Sequence, residues 1–164
     1  MEGGGIPVSR WKSRTWMAFR IFGDLPPAEE VTRLVGMAPT FQRRKGEPIP
    51  PGRRQQPFDV WSLELIKRSE WEDGPPLPEA TARAAETLRR LTPGLAQLDQ
   101  RVVTAQLWIS TIREEAQGGF DIPAEIVAAA GAAQLEVTVS VLIILEDDEG
   151  DDDSVDGNAA PPET

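Results

Sequence analysis

The chain has 164 residues, of which 27 are acidic and 17 are basic, and it contains neither cysteine nor histidine. This length is sufficient for one domain with its own hydrophobic core. The two missing residue types exclude disulfides, cysteine nucleophiles, the serine-histidine-aspartate triad and metal sites built on histidine or thiolate ligands.

The acidic residues are concentrated at the carboxyl end. From Glu146 onward there are nine acidic residues and no basic one, which leaves 18 acidic against 17 basic residues in the rest of the chain. Like charges repel, and this segment has little apolar area to bury, so we expect residues 148–164 to form a disordered acidic tail. Residues 1–12 show no periodic pattern and are also expected to be disordered, with one domain at residues 13–147.

The first half of the chain predicts strands where apolar residues alternate and a helix where they recur every three to four residues. In chain order these are a strand at Trp16–Phe22, a helix at Ala28–Val35, and strands at Pro39–Lys45 and Phe58–Lys67. Pro27 suits the start of the helix, and Gly36 suits its end. Residues 46–57, rich in proline and arginine, predict a loop outside any sheet interior.

The second half predicts a long helix, a strand, a short helix and a final strand. The long helix begins near Pro78, and Thr92-Pro93-Gly94 is expected to break or kink it, with Thr92 capping a second piece. The remaining elements are a strand at Val103–Ile109, a helix that begins at Pro123, and a strand at Leu135–Leu145. The odd-numbered residues of the final strand are all apolar, and its apolar run at Val139–Leu145 predicts a buried strand.

The succession β-α-β-β-α-β-α-β favours the α+β class. It is typical of a ferredoxin-like sandwich extended by one αβ unit, with a mostly antiparallel sheet and helices on one face. No apolar run is long enough to span a bilayer, and the amino terminus lacks the pattern of a signal peptide. We therefore expect a cytoplasmic protein without membrane contact.

Five segments carry a resemblance to a known family. They are FRIFGD (Phe19–Asp24), EEVTRLVGMAPT (Glu29–Thr40), RRKGE (Arg43–Glu47), VWSLEL (Val60–Leu65) and GGFDIPAEIVAAA (Gly118–Ala130). In their order and spacing the chain resembles the bacterial domain-of-unknown-function family numbered 4279, over nearly the whole expected domain. The resemblance implies a compact α+β domain, and for some members an immunity-type role beside toxins, but no agreed activity or site residues.

A basic loop is the first candidate binding site. Five basic residues fall within twelve positions: Arg43, Arg44, Lys45, Arg53 and Arg54. Together they are sufficient to hold a small anion or a nucleic-acid backbone. The alternative is a solvated loop whose arginines pair with carboxylates such as Asp59, Glu47 or those of the tail.

Trp108 and Asp24 are the other candidates. Trp108 lies on the less apolar face of its strand, where it either stacks on a ligand or packs in the core. Asp24 directly follows the first strand, and a turn or cap role competes with a chemical one. Trp61 is expected in the core.

These observations favour a non-enzymatic protein-interaction module, immunity-like or regulatory, with an unidentified protein partner and with no cofactor or metal. The alternative is a small-anion or nucleic-acid binding domain that uses the loop at residues 43–54. A third reading is an enzyme that uses only carboxylate, hydroxyl and arginine groups. The acidic tail either contacts a basic partner or only solubilises the chain.

Overall fold

The computed structural model describes residues 14–70, 74–113 and 120–143. The expected disordered segments at residues 1–12 and 148–164 lie outside these residues. The described elements are β1 (Arg14–Gly23), α1 (Ala28–Val35), β2 (Phe41–Arg43), β3 (Asp59–Ile66), α2 (Leu77–Leu95), β4 (Val103–Arg113), α3 (Ala124–Ala132) and β5 (Glu136–Ile143). The α+β class predicted from the sequence is confirmed.

The strands form one five-stranded mixed sheet in the order β2-β3-β1-β4-β5. The first three neighbouring pairs are antiparallel, and β5 pairs with β4 in parallel. β1 is therefore the central strand. The parallel pair is reached through α3, because a parallel partner requires a crossover connection that is usually helical.

The core lies between the sheet and the three helices of the described ranges. Alternate residues of the three central strands are buried there, among them Phe19, Trp61 and Leu107. Helix α2 contributes Ala84, Leu88 and Leu91 to the same cluster at helical spacing. Because side chains alternate across a strand, the even-numbered residues of β1, of β4 and of β3 up to Glu64 point to the opposite side of the sheet, whereas a register shift returns Ile66 to the core beside Met17. No described helix is both long and apolar enough to cross a membrane.

Helix α1 has the predicted bounds. It follows Pro27, carries Glu29 and Glu30 in its first turn, where acidic side chains favour the helix dipole, and ends at Gly36 in the left-handed conformation with φ of 77°. This conformation is the one that glycine adopts without steric cost. The local signals at the two ends therefore determine the length of α1.

The expected break in the long helix was wrong. Helix α2 continues through Pro93 to Leu95, and the hydroxyl of Thr92 donates to the carbonyl of Leu88 instead of capping a new helix. Pro93 has no N–H to donate to the carbonyl of Arg89, so one intrahelical bond is lost, but few helical residues follow it because it lies in the last turn. Gly94 is buried against the backbone of Leu34 and Val35 at the end of α1, where a Cβ atom would overlap Leu34. Packing against α1 thus stabilises the last turn.

The expectation that the final strand is buried was also wrong. Five apolar side chains of β5 are 42 to 53% exposed, namely Val137, Val139, Val141, Leu142 and Ile143. β5 is at the edge of the sheet, and its odd-numbered residues share a face with Leu107 and Ile109 of β4, which are fully buried. Helix α3 packs on α2 and leaves this edge open among the described residues. The apolar periodicity of the sequence predicted the strand correctly, but it does not show whether another element packs on the strand.

Candidate binding site on the open face of the sheet

The side of the sheet opposite the helices carries a cavity of about 640 Å³. We call this side the open face. Its cavity is lined by Trp16, Arg20, Phe22, Thr40, Phe41, Gln56, Phe58, Val60, Ser62, Glu64, Gln106 and Trp108. None of these residues belongs to a helix. The volume falls in the range of pockets that hold small ligands or anchoring side chains, roughly 300–1,000 Å³.

Strand register explains why space is present at the centre of this face. Arg20 on the central strand lies opposite Ser62 on one side and Gln106 on the other, so both of its direct neighbours in the sheet are polar. The aromatic residues lie in the neighbouring rows and on β2, and they form walls around this row. Ser62 on β3 is small and leaves space beside Arg20 on β1. The floor of the cavity therefore has a cation at its centre.

Arg20 stacks on two tryptophans. Its guanidinium carbon is 4.6 Å from the ring centre of Trp108 and 5.3 Å from that of Trp16, both within the range of a cation-π interaction. Partial burial lowers the pKa of the Arg20 guanidinium from its ordinary value because the charged form loses solvation. The side chain remains a cation at any physiological pH, so the cavity has a fixed positive charge in a partly apolar setting.

The guanidinium of Arg20 has no anionic partner among residues 14–70, 74–113 and 120–143. Every ion pair in the described part of the chain involves other residues, and no described side chain accepts a hydrogen bond from it. No buried side-chain nitrogen or oxygen of the described residues lacks a partner, which means that the Arg20 nitrogens reach the open cavity. Hydrogen-bond donors on a cation are therefore available to an incoming group.

Several other polar groups of the cavity have partners, whereas the Gln56 amide and the Trp108 indole nitrogen have no hydrogen bond to a described residue. The indole nitrogen of Trp16 donates to Glu64 at 2.8 Å, and the amide of Gln106 donates to Thr138 at 2.8 Å. The hydroxyls of Ser62 and Thr40 donate to the main-chain carbonyls of Phe19 and Ser62. These bonds fix the walls and leave Arg20 as the charged group with free donors.

The basic loop forms a hairpin arm rather than a cluster around one point. Main-chain hydrogen bonds join Gly46 to Gln56, Glu47 to Gln56, and Ile49 to Arg54. Arg43 stacks on Phe41 with 5.2 Å between the guanidinium carbon and the ring centre. The side chains of Lys45, Arg53 and Arg54 are exposed and make no ion pair with a described residue.

Arg44 is held by the fold itself. It donates to the carbonyls of Pro26 and Leu25 and lies 3.4 Å from the carboxylate of Asp59. It therefore connects the arm to the segment before α1. Of the five basic residues singled out from the sequence, this one has its donors largely satisfied within the protein.

Asp59, rather than Asp24, is the acid that organises this end of the sheet. Asp59 is only 6% exposed, and its carboxylate accepts hydrogen bonds from the backbone nitrogens of Leu25 at 3.1 Å and Lys45 at 2.8 Å. Asp24 is exposed, and its carboxylate has no hydrogen bond to a described residue. Sequence reasoning named Asp59 only as a partner for arginines.

Trp108 lies on the open face, whereas Trp61 is 1% exposed in the core. Sequence reasoning missed Arg20, Trp16 and the phenylalanines of the cavity. A signal for them was present, because the even-numbered positions of β1 carry Trp16, Arg20 and Phe22 opposite its core residues. A strand with large residues on both faces packs against something on each.

A family model for a domain of unknown function, DUF4279, matches residues 12–143. The chain belongs to this family. The match covers every described element, so the open face is part of the family domain. No curated protein and no solved structure matches the chain.

Among the described residues, no group of three acidic, histidine or cysteine side chains is placed to hold a metal ion. The charged side chains that line the cavity are Arg20 and Glu64. The arrangement can bind an anionic group at Arg20 and pack an apolar body against the aromatic walls.

Proposed function

We propose that this domain is a non-enzymatic binding module that contacts a protein partner through the open face of its sheet. The observation that carries the proposal is Arg20, a half-buried cation that stacks on Trp16 and Trp108 and has free donors in a cavity of about 640 Å³. Partial burial costs the guanidinium some of its solvation, and an anionic group from outside offsets that cost.

A protein partner agrees with the residue types around the cavity. Tryptophan and arginine are over-represented among the interface residues that contribute most to binding, and such residues fill or line pockets near the interface centre. Phe41 and Phe58 at the rim are 45% and 40% exposed, so they present apolar surface beside the cavity. This combination favours an anchoring side chain from a second protein.

Binding rather than catalysis agrees with the hydroxyls of the cavity. Ser62 and Thr40 donate to main-chain carbonyls, and neither is hydrogen-bonded to a carboxylate that would activate it as a nucleophile. Glu64 accepts from Trp16 and is not paired with a second acid in the cavity lining. The lining described here therefore supports recognition without a chemical step.

The proposal also includes a ferredoxin-like arrangement of the first four strands and two helices. The antiparallel order β2-β3-β1-β4, with α1 and α2 on one face, supports a ferredoxin-like unit to which α3 and β5 add one αβ extension. In such a unit the face without helices is free for binding. We keep the expected cytoplasmic location and the immunity-like or regulatory role as parts of this proposal.

The arginine loop supports a second candidate function, because the side chains of Lys45, Arg53 and Arg54 are exposed and unpaired with described residues. In that case the module binds a small anion or nucleic acid, and affinity falls steeply with salt. The engagement of Arg44 with Asp59 and two carbonyls weighs against it, because this arginine has fewer donors to offer.

Affinity capture with the tagged full chain tests the two functions together. Four forms are compared in a lysate of the source organism: wild type, Arg20→Gln, the control Arg90→Gln on the exposed side of α2, and the double variant Arg53→Gln with Arg54→Gln. We expect a specific protein, quantified by mass spectrometry, to be retained by all forms except Arg20→Gln. If the captured protein is lost only with the Arg53→Gln and Arg54→Gln double variant, binding is assigned to the arginine loop. If no form retains a protein, the protein-interaction proposal is contradicted.

A further inference from the structure

We infer that the group which enters the open-face cavity is a single carboxylate attached to a flat apolar body. This inference rests on the proposed function and names the chemistry of its ligand. The charge balance of the cavity, the direction of the free donors of Arg20 and the composition of the walls each contribute to it.

The charge balance favours one negative charge. Arg20 and Glu64 are the charged side chains of the lining, and strand register places them as diagonal neighbours on β1 and β3. Diagonal neighbours in an antiparallel pair are separated by roughly 7–8 Å, so an anion bound at Arg20 lies near the negative charge of Glu64. A monoanion is attracted more by Arg20 than it is repelled by Glu64. A phosphate dianion is repelled more strongly by Glu64, and the cations next to the cavity, Arg43 and Arg68, stack on Phe41 and Trp16 and do not belong to its lining.

The donors of Arg20 favour a planar acceptor. All N–H groups of a guanidinium lie in its plane, and the guanidinium carbon of Arg20 lies 5.3 Å and 4.6 Å from the ring centres of Trp16 and Trp108. The accessible donors thus lie along the guanidinium edge. Two parallel hydrogen bonds from this edge match the two oxygens of a carboxylate.

The walls favour an apolar and flat body next to the carboxylate. Phe22, Phe41, Phe58 and Val60 surround the cavity beside Arg20, and Phe22 and Phe58 pack with ring centres 5.3 Å apart. Aromatic rings stack well on such surfaces in offset or edge-on arrangements. A two-ring body fits in the volume that is not occupied by the carboxylate.

Two sources supply this chemistry. One is a partner protein whose chain ends with an aromatic residue, so that its terminal carboxylate reaches Arg20 while its ring packs on the phenylalanines. The other is a free aromatic acid. The same Arg20 contact serves both, and the experiment separates them.

The test is a titration of the full-length protein followed by the indole N–H signals in ¹H–¹⁵N spectra. The probes are 2-naphthoate, its uncharged isostere 2-naphthamide, acetate and inorganic phosphate. Signals of Trp16 and Trp108 are assigned with single Trp→Phe variants, and the buried Trp61 is the internal reference. We expect 2-naphthoate to shift the signals of Trp16 and Trp108 and to leave Trp61 nearly unchanged.

A comparison of charged and uncharged probes then tests the role of the ligand's charge without a change in the protein. We expect 2-naphthamide to bind about tenfold more weakly than 2-naphthoate or worse, because it lacks the charge that strengthens a hydrogen bond to Arg20. Acetate and phosphate are expected to bind more weakly still, since neither brings an apolar body. Equal affinity for the carboxylate and the amide, or tighter binding of phosphate, overturns the inference whether or not any variant folds.

Variants and peptides complete the comparison. Arg20→Gln is expected to abolish the preference for naphthoate over naphthamide, and Arg90→Gln to retain it. A short peptide ending in phenylalanine is compared with the same peptide amidated at its carboxyl end. Tighter binding of the free-acid peptide than of 2-naphthoate indicates a protein carboxyl terminus as the source, and the reverse indicates a small acid. If protein capture depends on Arg20 but no carboxylate probe binds, the inference fails and the proposed function stands.

Discussion

The guanidinium of Arg20 lies 4.6 Å from the ring centre of Trp108, although the register of the sheet pairs Trp108 with Ala18 rather than with Arg20. Arg20 therefore extends along its strand to reach a ring in the next row. This diagonal contact is accommodated because Ala18 is small. One arginine thereby covers the floor of the open face and still presents its donors to the cavity.

Mutation of Gly94 tests the close packing between α1 and α2. We expect Gly94→Ala to lower the free energy of unfolding by about 1–3 kcal/mol, because the added methyl overlaps the carbonyl of Leu34 and forces α1 and α2 apart. Gly131→Ala is the matched control, since a Cβ there meets no atom within 4 Å. It should stabilise α3 by roughly 0.5 kcal/mol through helix propensity. Urea unfolding of both variants checks this, and equal effects would contradict the close packing.

Substitutions of Asp59 and Asp24 by asparagine are expected to differ sharply in their effect on stability. Asp59→Asn should cost about 1–3 kcal/mol of stability, because one of its oxygens becomes an amide that faces the backbone donors of Leu25 and Lys45. Asp24→Asn should change stability by less than about 0.5 kcal/mol, since its carboxylate is exposed. Thermal unfolding of the pair measures the difference. A larger loss at Asp24 would show that the wrong acid has been assigned to this end of the sheet.

A pair of valines tests the exposed edge of the sheet. Val31→Ala in α1 should cost about 2–3 kcal/mol, because the side chain is fully buried and its loss leaves a cavity. Val139→Ala in β5 should cost less than about 1 kcal/mol, because the side chain is 42% exposed. The free energy of unfolding of both variants, measured in urea, tests this difference. Similar losses at the two sites would mean that the apolar face of β5 is covered in solution.

Stability should depend on pH through Glu70. Partial burial of this carboxyl raises its pKa, but the backbone N–H of Lys67 and the guanidinium of Arg83 outweigh it and hold the pKa below its ordinary value of 4.5. The folded state thus binds this proton more weakly than the unfolded state. The contribution is fully present above pH 4.5 and is lost as the pH falls through the lowered pKa.

The variant Glu70→Gln isolates this contribution. Wild type should be more stable than the variant at pH 7 by up to about 1 kcal/mol, and the difference should shrink below the ordinary pKa of a glutamate. Urea unfolding at a series of pH values measures it. A difference that is constant between pH 7 and pH 3 would rule out the ion pair as its cause.

Local signals in the sequence predict much of the fold. The alternation in β1, the proline before α1 and the glycine after it each favour those elements for a local physical reason, and they identify the elements correctly. The continuation of α2 through Pro93 could not be read in the same way. It depends on contact between Gly94 and Leu34, which are distant in sequence.

The binding site was less accessible to sequence reasoning. Trp108 stands out on the less apolar face of its strand, whereas the alternation of β1 places Arg20 on the side opposite the core without showing what lies beside it. Its role depends on the register that places it between Ser62 and Gln106 and beside two tryptophans. Pairing of distant strands sets that register, and alternation along one strand contains no information about its neighbours.

Side-chain oxidation by hydroxyl radicals, compared between the free protein and the complex recovered by capture, tests the open face most directly. The account predicts that oxidation of Trp16, Trp108, Phe41 and Phe58 falls in the complex, while the buried Trp61 is unreactive in both states. Protection that is confined to the arm at residues 43–54 or to β5, with the open-face aromatics as reactive as in the free protein, would contradict it.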